Sequence, residues 1–123
     1  MNLKILRIMI ARKYEVWLAN LDPRIGTETG KTHPVLIVQT DVLNKVHPSI
    51  LICPITTNIK LESRILRVHI KKGTAKVKES CDVMIDQLRA IDNKRLIKKI
   101  GDLPLDLAEK VKQNIKIVLD LGY

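Results

Sequence analysis

The sequence predicts a mainly β protein of the α+β class, a small antiparallel barrel with one helix packed on it at the C-terminal end. Two observations lead to this fold class. Short runs of β-branched and apolar residues recur at close spacing over the first two-thirds of the chain, and the apolar period becomes helical after Pro104. At 123 residues, the chain is expected to form one domain with a substantial core.

Six strands are predicted, over residues 14–21, 34–40, 49–56, 63–72, 81–88 and 96–103. The first is apolar on both faces and is expected to be central. The third carries Pro54 near its end, which indicates a bulge or an edge. In the fourth, apolar and charged residues alternate, so Leu66, Val68 and Ile70 are expected to face the core. Strands this short and closely spaced favour a compact antiparallel barrel.

A helix is predicted from Pro104 to Gly122, because proline suits a first helical turn and glycine a C-terminus. Acidic residues follow Pro104 closely, where the helix dipole favours them. One apolar stripe at helical spacing is expected to pack on the barrel, and it consists of Ala108, Val111, Ile115 and Val118.

The charge balance points to a polyanionic partner. The formal net charge is +9, and residues 60–79 contain seven basic and two acidic side chains. Such an excess suits nucleic acid or an acidic peptide, although a lysine-rich surface without a partner would look the same. With two tyrosines, one tryptophan and no phenylalanine, base-stacking modules are disfavoured, and RNA would be bound by charge, hydrogen bonds and a groove. No apolar run reaches the roughly 18 residues of a membrane span.

The cysteines and histidines lack the spacing of a metal site. Cys53 and Cys81 form no CxxC pair, and His33, His47 and His69 lie far apart. We therefore predict two buried thiols, no metal and no cofactor. His47 and His69 are expected to be exposed and uninvolved in function.

A polar loop between the first two strands carries most of the candidate chemistry. Pro23 and Pro34 bound it, and Gly26 and Gly30 permit sharp turns and the close approach of a ligand. Between the prolines lie an acid, two cations and a histidine, namely Glu28, Arg24, Lys31 and His33. A loop held between strands is a common way to place polar chemistry on a rigid scaffold.

Three motifs in one order resemble the MazF/PemK family of toxin endoribonucleases. They are the loop and strand LDPRIGTETGKTHPVLIVQ over residues 21–39, PITTN over 54–58 and DQLRAID over 86–92, and the end of the C-terminal helix matches as well. The resemblance covers about residues 13–121. It implies an SH3-like, plug-type barrel at residues 13–123. Residues 1–12 are then an N-terminal extension, with Met9 an alternative start.

The resemblance also implies an activity and partners. Family members are homodimers in the cytoplasm that cut single-stranded RNA at short sequences without a metal. The 2′-oxygen attacks its own phosphate, which leaves a 2′,3′-cyclic phosphate and a 5′-hydroxyl. An acidic, largely disordered antitoxin tail folds into the RNA groove and inhibits them. Related barrels poison gyrase by binding a protein and cut nothing, so a non-enzymatic toxin is the alternative, together with a small RNA-binding barrel that does not cleave.

The predicted catalytic residues are Thr56 and His33. By resemblance Thr56 is the hydroxyl donor to the scissile phosphate, and His33 stands where many members have a catalytic arginine. Histidine titrates near neutrality and could be a general acid or base with a pH optimum. Alternatively, the toxin is attenuated, because imidazole holds phosphate less firmly than a bidentate guanidinium. In a third interpretation His33 is a bystander, and Arg24 or Lys31 supplies the phosphate cation.

The remaining predicted site residues bind substrate or hold the loop. Arg24 and Lys31 would attract the RNA backbone, and Glu28 would orient the loop through one of them or act as a base. The set is completed by Thr57, Gln87 and Arg89. Gln87 and Arg89 are expected to bond to loop backbone or to contact RNA.

Overall fold

The computed structural model describes residues 10–28 and 30–122. The predicted extension over residues 1–12 therefore falls mostly outside the described residues. Seven strands are present in the described part of the chain, at Glu15–Asn20 (β1), Thr32–Ile37 (β2), Ser49–Thr56 (β3), Arg67–Ile70 (β4), Cys81–Met84 (β5), Arg89–Asp92 (β6) and Leu96–Asp102 (β7). Two α-helices are also present, Asp41–Asn44 (α1) between β2 and β3 and Leu105–Val118 (α2) after β7. Three short 3₁₀ segments lie between later strands, at Thr74–Lys76, Ile85–Gln87 and Asn93–Arg95.

The strands form one antiparallel sheet in the order β4-β5-β3-β2-β1-β7, with β6 beside the first half of β3. Along one edge, β3 pairs with β6 over its first four residues and with β5 at Ile55 and Thr56. No ladder joins β4 to β7 among the described residues, so the barrel is partly open. The predicted class, mainly β with a C-terminal helix, is confirmed.

Alternation along the strands divides the core into two clusters, one on each face of the sheet. Val16, Leu36 and Cys53 belong to the cluster that α2 covers through Ala108. Trp17, Ala19 and Val35 belong to the other, which Ala11 joins from before β1. The barrel therefore has buried side chains on both faces of its central strands.

The 3₁₀ segment Thr74–Lys76 packs against the backbone of β7. A Cβ atom built on Gly101 would lie 2.1 Å from the carbonyl oxygen of Ala75, far inside van der Waals contact. Ala75 and Lys76 both have left-handed backbone, with φ of 53° and 60°. The contact brings the β4–β5 connection onto β7, on the side where the sheet is not closed by hydrogen bonds.

The strand predictions differ from the structure mainly at their ends. The third strand has the predicted bounds, Ser49–Thr56, whereas the fourth shortens to Arg67–Ile70 and leaves Leu66 exposed. The expectation that His69 is exposed is wrong, because it is half-buried. Strand β6 and helix α1 were not predicted. Both are only four residues long, too short for a periodic pattern to stand out.

The helix prediction holds for most of the apolar stripe. Ala108 and Val111 are buried and Ile115 is half-buried, but Val118 is 38% exposed near the end of α2. Asn114 is buried in its place and donates from Nδ2 to the Arg64 carbonyl at 3.1 Å. In the part of the chain that the structure describes, no helix has the length and apolarity to cross a membrane.

Candidate active site

The register of β2 and β3 brings the two predicted catalytic residues together. Val35 lies opposite Pro54 in this antiparallel pair. The ladder ends at this pair. Extending its register by two residues points His33 toward Thr56, and both side chains line one cleft. Both side chains are half-buried. A histidine and a hydroxyl separated by 22 intervening residues in the sequence thus become neighbours.

The same row of residues continues across two more strands. Thr56 lies opposite Asp82 of β5, and Asp82 lies opposite His69 of β4. Asp82 is 1% exposed. Its Oδ1 lies 3.1 Å from His69 Nδ1, and its Oδ2 lies 3.3 Å from Arg67 Nη1. A buried carboxylate is stabilised by such charged hydrogen-bond partners.

A cleft of about 750 Å³ opens beside the His33–Thr56 pair. Its walls combine apolar side chains with four lysines and one glutamate, and the lining residues are Leu18, His33, Pro34, Ile55, Thr56, Thr57, Lys76, Val77, Lys78, Glu79, Cys81, Lys98, Lys99 and Ile100. An apolar floor with a cationic rim suits a nucleotide, whose base is flat and whose phosphate is anionic.

The Thr56 hydroxyl is oriented by the turn that follows it. Its Oγ1 accepts the backbone N–H of Asn58 at 3.1 Å. Because a hydroxyl has one proton and two lone pairs, this bond occupies an acceptor position and leaves the proton to donate elsewhere. Thr56 is therefore suited to donate a hydrogen bond to an anionic oxygen in the cleft.

Two adjacent cleft lysines differ in their partners. The Lys99 ammonium lies 2.9 Å from Glu15 Oε2 and 3.0 Å from Asp102 Oδ1. The hydrogen bond to Glu15, followed by that to Asp102, raises the pKa of Lys99. Glu15 is itself buried and accepts the indole N–H of Trp17. Lys98 is exposed and belongs to none of the ion pairs recorded among the described residues.

We expect Lys98→Gln to weaken RNA binding through charge, whereas Lys99→Gln leaves it nearly unchanged, since Lys99 already neutralises carboxylates. The slope of log K against log salt should become less steep by about 0.7 for Lys98→Gln, the value for one phosphate contact on a single strand. Binding of an uncleavable 2′-O-methyl oligonucleotide, titrated at several salt concentrations, measures this. Equal slopes for wild type and Lys98→Gln would contradict a phosphate contact at Lys98.

The loop before β2 is closed at its neck by hydrogen bonds. Leu21 N donates to the Lys31 carbonyl at 2.7 Å, and Lys31 N donates to Asp22 Oδ1 at 2.5 Å. Arg95 Nη1 reaches across to the carbonyls of Asn20, at 3.1 Å, and Asp22. Inside the neck, Gly30 leaves no room for a side chain, because a Cβ there would lie 2.6 Å from Arg24 Cβ.

The charged loop residues lie outside the cleft lining. Arg24 and Lys31 are exposed, and Glu28 is half-buried. No ion pair between the described residues joins Glu28 to either cation. The loop shape therefore depends on its backbone bonds, and both cations are exposed to solvent.

Gln87 and Arg89 occupy different places. Gln87 Nε2 donates to the Thr27 carbonyl at 3.3 Å. Gln87 therefore bonds to the loop backbone, which is one of the two roles predicted for it. Arg89 lies opposite Ile52 in β6, four residues from Thr56 along β3, or roughly 13 Å. Its Nη1 is buried with no hydrogen-bond partner among the described residues. The structure does not bring Arg89 to the cleft.

The two cysteines are buried and free, as predicted. Burial, with a smaller effect of Asp86, raises the pKa of Cys53 to about 12. Burial, with a smaller effect of Asp82, raises the pKa of Cys81 to about 11. Both thiols are thus protonated at neutral pH, although Cys81 lines the cleft.

We expect both thiols of the folded protein to resist alkylation. At pH 8 a thiol with a pKa of about 11 is roughly one-thousandth thiolate, and burial limits access further. Iodoacetamide labelling followed by mass spectrometry should show both sites unmodified under conditions that label the urea-unfolded chain completely. Rapid native labelling of Cys81 at pH 8 would contradict this. Since the folded pKa values are raised, native labelling should increase only at strongly alkaline pH.

The described residues offer no site for a resident metal. No cluster of three or more histidine, cysteine, aspartate or glutamate side chains there has the geometry of a metal site. The chemistry available at the cleft is that of an imidazole, a hydroxyl and ammonium groups.

Sequence reasoning missed the residues that tertiary structure brings to the cleft. Lys76 and Lys78 lie within the basic segment 60–79 and Lys98 lies beyond it, but none of the three was assigned to the site. Asp82 and His69, which lie outside the cleft lining, were not predicted to contact each other. Alternation in β4 and β5 could have placed both residues on one face, but the register of the two strands could not have been read from the sequence.

A partly open antiparallel barrel whose basic cleft is lined by a histidine and a threonine defines a class of small barrels suited to bind phosphodiesters. The model of the PemK-like, MazF-like toxins of type II toxin–antitoxin systems matches residues 12–119. The chain belongs to this family.

Individual relatives agree with this assignment. The chain is 31% identical over 113 residues to endoribonuclease EndoA of Bacillus subtilis (strain 168), covering 92% of this chain and 97% of EndoA. The structure is similar to MazF of Deinococcus radiodurans, with a TM-score of 0.79 and 22% identity over 90% of this chain and 97% of that one. It also resembles a MazE–MazF complex from the same organism, with a TM-score of 0.73 and 21% identity over 92% of this chain and 98% of that one.

Proposed function

We propose that this protein is the toxin of a toxin–antitoxin pair, and that it is an endoribonuclease that cuts single-stranded RNA. One observation carries the proposal for the site: His33 and Thr56 both line one cleft, together with four lysines. Family membership and the 31% identity to an endoribonuclease support the activity.

In the proposed reaction the 2′-oxygen of a ribose forms a bond to the adjacent phosphorus, and the bond from phosphorus to the 5′-oxygen breaks. The neutral imidazole of His33 takes the 2′-hydroxyl proton and returns a proton to the leaving 5′-oxygen, so it ends the cycle unchanged. The Thr56 hydroxyl donates to a non-bridging phosphate oxygen, where negative charge develops. The products are a 2′,3′-cyclic phosphate and a 5′-hydroxyl.

The other predicted residues act before the chemical step. Arg24 and Lys31 attract the RNA backbone to the mouth of the cleft, and Thr57 lines the cleft beside Thr56. Gln87 bonds to the Thr27 carbonyl and thereby helps to fix the loop that carries His33 and the two cations. Glu28 helps to hold the loop, and Arg89 contributes to RNA binding away from the scissile phosphate.

The partners follow from the same site. We propose a homodimer that acts in the cytoplasm, as a single domain over residues 13–123, and an antitoxin with an acidic tail. Support comes from the likeness to a MazE–MazF complex and from the net charge of +9. An acidic peptide binds a basic groove by the same electrostatics as RNA, so a stoichiometric antitoxin should abolish cleavage.

The experiment that tests the proposed function is cleavage of a long unstructured RNA in EDTA, with both new ends mapped. Discrete cuts that leave cyclic-phosphate and 5′-hydroxyl ends are expected. A wild-type protein that binds RNA with strong salt dependence but leaves it intact would overturn the endoribonuclease and favour an RNA-binding barrel. An absence of both activities would favour a toxin that binds a protein target.

We expect His33→Arg to reduce the cleavage rate by about 10²-fold, because a guanidinium remains protonated and cannot accept the 2′ proton. Single-turnover rates of the wild type and the variant measure this. Faster cleavage by His33→Arg would show instead that histidine attenuates the toxin. An unchanged rate would assign the phosphate cation to Arg24 or Lys31.

A further inference from the structure

The loop that follows Thr56 is anchored by a buried cluster outside the cleft. Residues 57–66 connect β3 to β4 without regular structure. Asp82 Oδ2 accepts the backbone N–H of Lys60 at 2.8 Å and a hydrogen bond from Arg67 Nη1 at 3.3 Å. The same Arg67 nitrogen donates to the Asn58 carbonyl at 2.9 Å. Two neighbouring strands thus hold the first turn of the loop.

Asn58 is bonded on both sides. Its N–H is accepted by the Thr56 hydroxyl oxygen at 3.1 Å, and its C=O is bonded by Arg67 at 2.9 Å. Any displacement of Asn58 therefore changes the acceptor geometry at Thr56 Oγ1. Because that bond determines where the hydroxyl proton can point, Asn58 links the buried cluster to the catalytic hydroxyl.

The cluster has the features of a fixed anchor. Asp82 is 1% exposed, and the Arg67 side chain is 14% exposed. His69 adds a third contact, at 3.1 Å from Oδ1, so both carboxylate oxygens have partners. Breaking a buried ion pair leaves an uncompensated charge, which is strongly destabilising. The bonded arrangement of this cluster is therefore strongly favoured over arrangements in which a bond is broken.

We propose that Asp82 is a positioning residue of the active site: through Lys60, Arg67 and Asn58 it holds the start of the 57–66 loop and thereby directs the Thr56 hydroxyl into the cleft. The proposal rests on the proposed function for its kinetic part, and its structural part stands on the contacts alone. Asp82 touches no substrate in this assignment, since its oxygens are occupied by the loop and by β4.

The first test is amide hydrogen exchange, measured by NMR without RNA. In Asp82→Asn the Lys60 amide should exchange at least about tenfold faster than in wild type, because its acceptor loses its charge. The amide of Val35, which lies in a separate core cluster, should be unaffected. An unchanged Lys60 exchange rate would overturn the anchoring role.

The second test is kinetic. Asp82→Asn should lower kcat by about tenfold and change KM by less than about twofold, because orientation of a catalytic group is lost while binding groups remain. When Thr56→Ala is already present, Asp82→Asn should lower the residual rate by less than about twofold. An equal loss in both backgrounds would show that Asp82 does not act through Thr56.

Two further variants distinguish loss of the loop anchor from two other effects of Asp82→Asn, namely misfolding and the loss of one negative charge. Arg67→Gln removes the donor to the Asn58 carbonyl and one partner of Asp82 Oδ2, but it leaves the charged acceptor of the Lys60 amide in place. It should therefore reproduce the kcat effect, with a smaller increase in Lys60 exchange, even if Asp82→Asn fails to fold. Asp106→Asn removes one negative charge from an exposed position in the first turn of α2 and should change neither. If the wild type cuts no RNA, the proposed function fails, while hydrogen exchange still decides whether Asp82 anchors the loop.

Discussion

Replacing Thr56 by alanine is expected to reduce RNA cleavage by about 10²-fold or more without unfolding the protein. In the proposed mechanism the Thr56 proton is the donor to the phosphate, since the oxygen already accepts the Asn58 N–H. Loss of one preorganised donor to a developing oxyanion costs about 10²–10³ in rate. The measurement is the single-turnover rate on the mapped RNA in EDTA, with circular dichroism and thermal melting as the folding check.

The matched control is Thr56→Ser, which retains both the acceptor for Asn58 and the proton for the phosphate. It should keep most of the wild-type rate, so that the hydroxyl, rather than the shape of the side chain, is shown to matter. Wild-type cleavage by Thr56→Ala would remove Thr56 from the mechanism and leave His33 with the cleft lysines.

Replacing Gly101 by alanine is expected to cause the largest loss of stability among the glycine substitutions. The added methyl group would meet the Ala75 carbonyl at 2.1 Å, and a backbone atom cannot rotate away. Overpacking of this kind costs about 3 kcal/mol in free energy of unfolding, which corresponds to roughly 10 °C in Tm for a domain of this size. Differential scanning calorimetry and urea unfolding measure both quantities.

Gly73→Ala is the control, because Gly73 lies in the β4–β5 connection that Gly101 contacts, but a Cβ there has no neighbour within 4 Å. Its φ of +90° still makes alanine unfavourable, at a cost of about 1–2 kcal/mol. The Tm of Gly101→Ala should therefore be clearly the lower of the two. Equal melting temperatures would mean that the 3₁₀ segment moves off β7 without cost. Cleavage should fall as well, since Lys76 and Val77 line the cleft.

The sequence was most informative where one short pattern determined one element. Strand β3 has its predicted bounds, because its β-branched run is bounded by polar residues on both sides. Motif order also predicted His33 and Thr56 as a candidate pair, and the structure places both in the lining of one cleft. That shared position depends on strand register, which no local pattern specifies.

Long-range side-chain contacts were the part that sequence could not predict. Asp82 meets Lys60 and Arg67 across 22 and 15 positions of sequence, and the partner of a buried carboxylate is set by packing. Lys99 forms an ion pair and Lys98 does not, and this difference depends in the same way on the position of Glu15. In α2 the polar Asn114 is buried and donates to the Arg64 carbonyl of the 57–66 loop, a contact that the spacing of apolar residues does not reveal.

The neck of the loop before β2 has a consequence for the order in which the chain is completed. Arg95 bonds to the carbonyls of Asn20 and Asp22 from 75 and 73 positions later in the chain. A chain synthesised only through β3 contains His33 and Thr56 but not yet the residue that bonds across the neck. These two hydrogen bonds therefore form only once most of the chain, through Arg95, has been made.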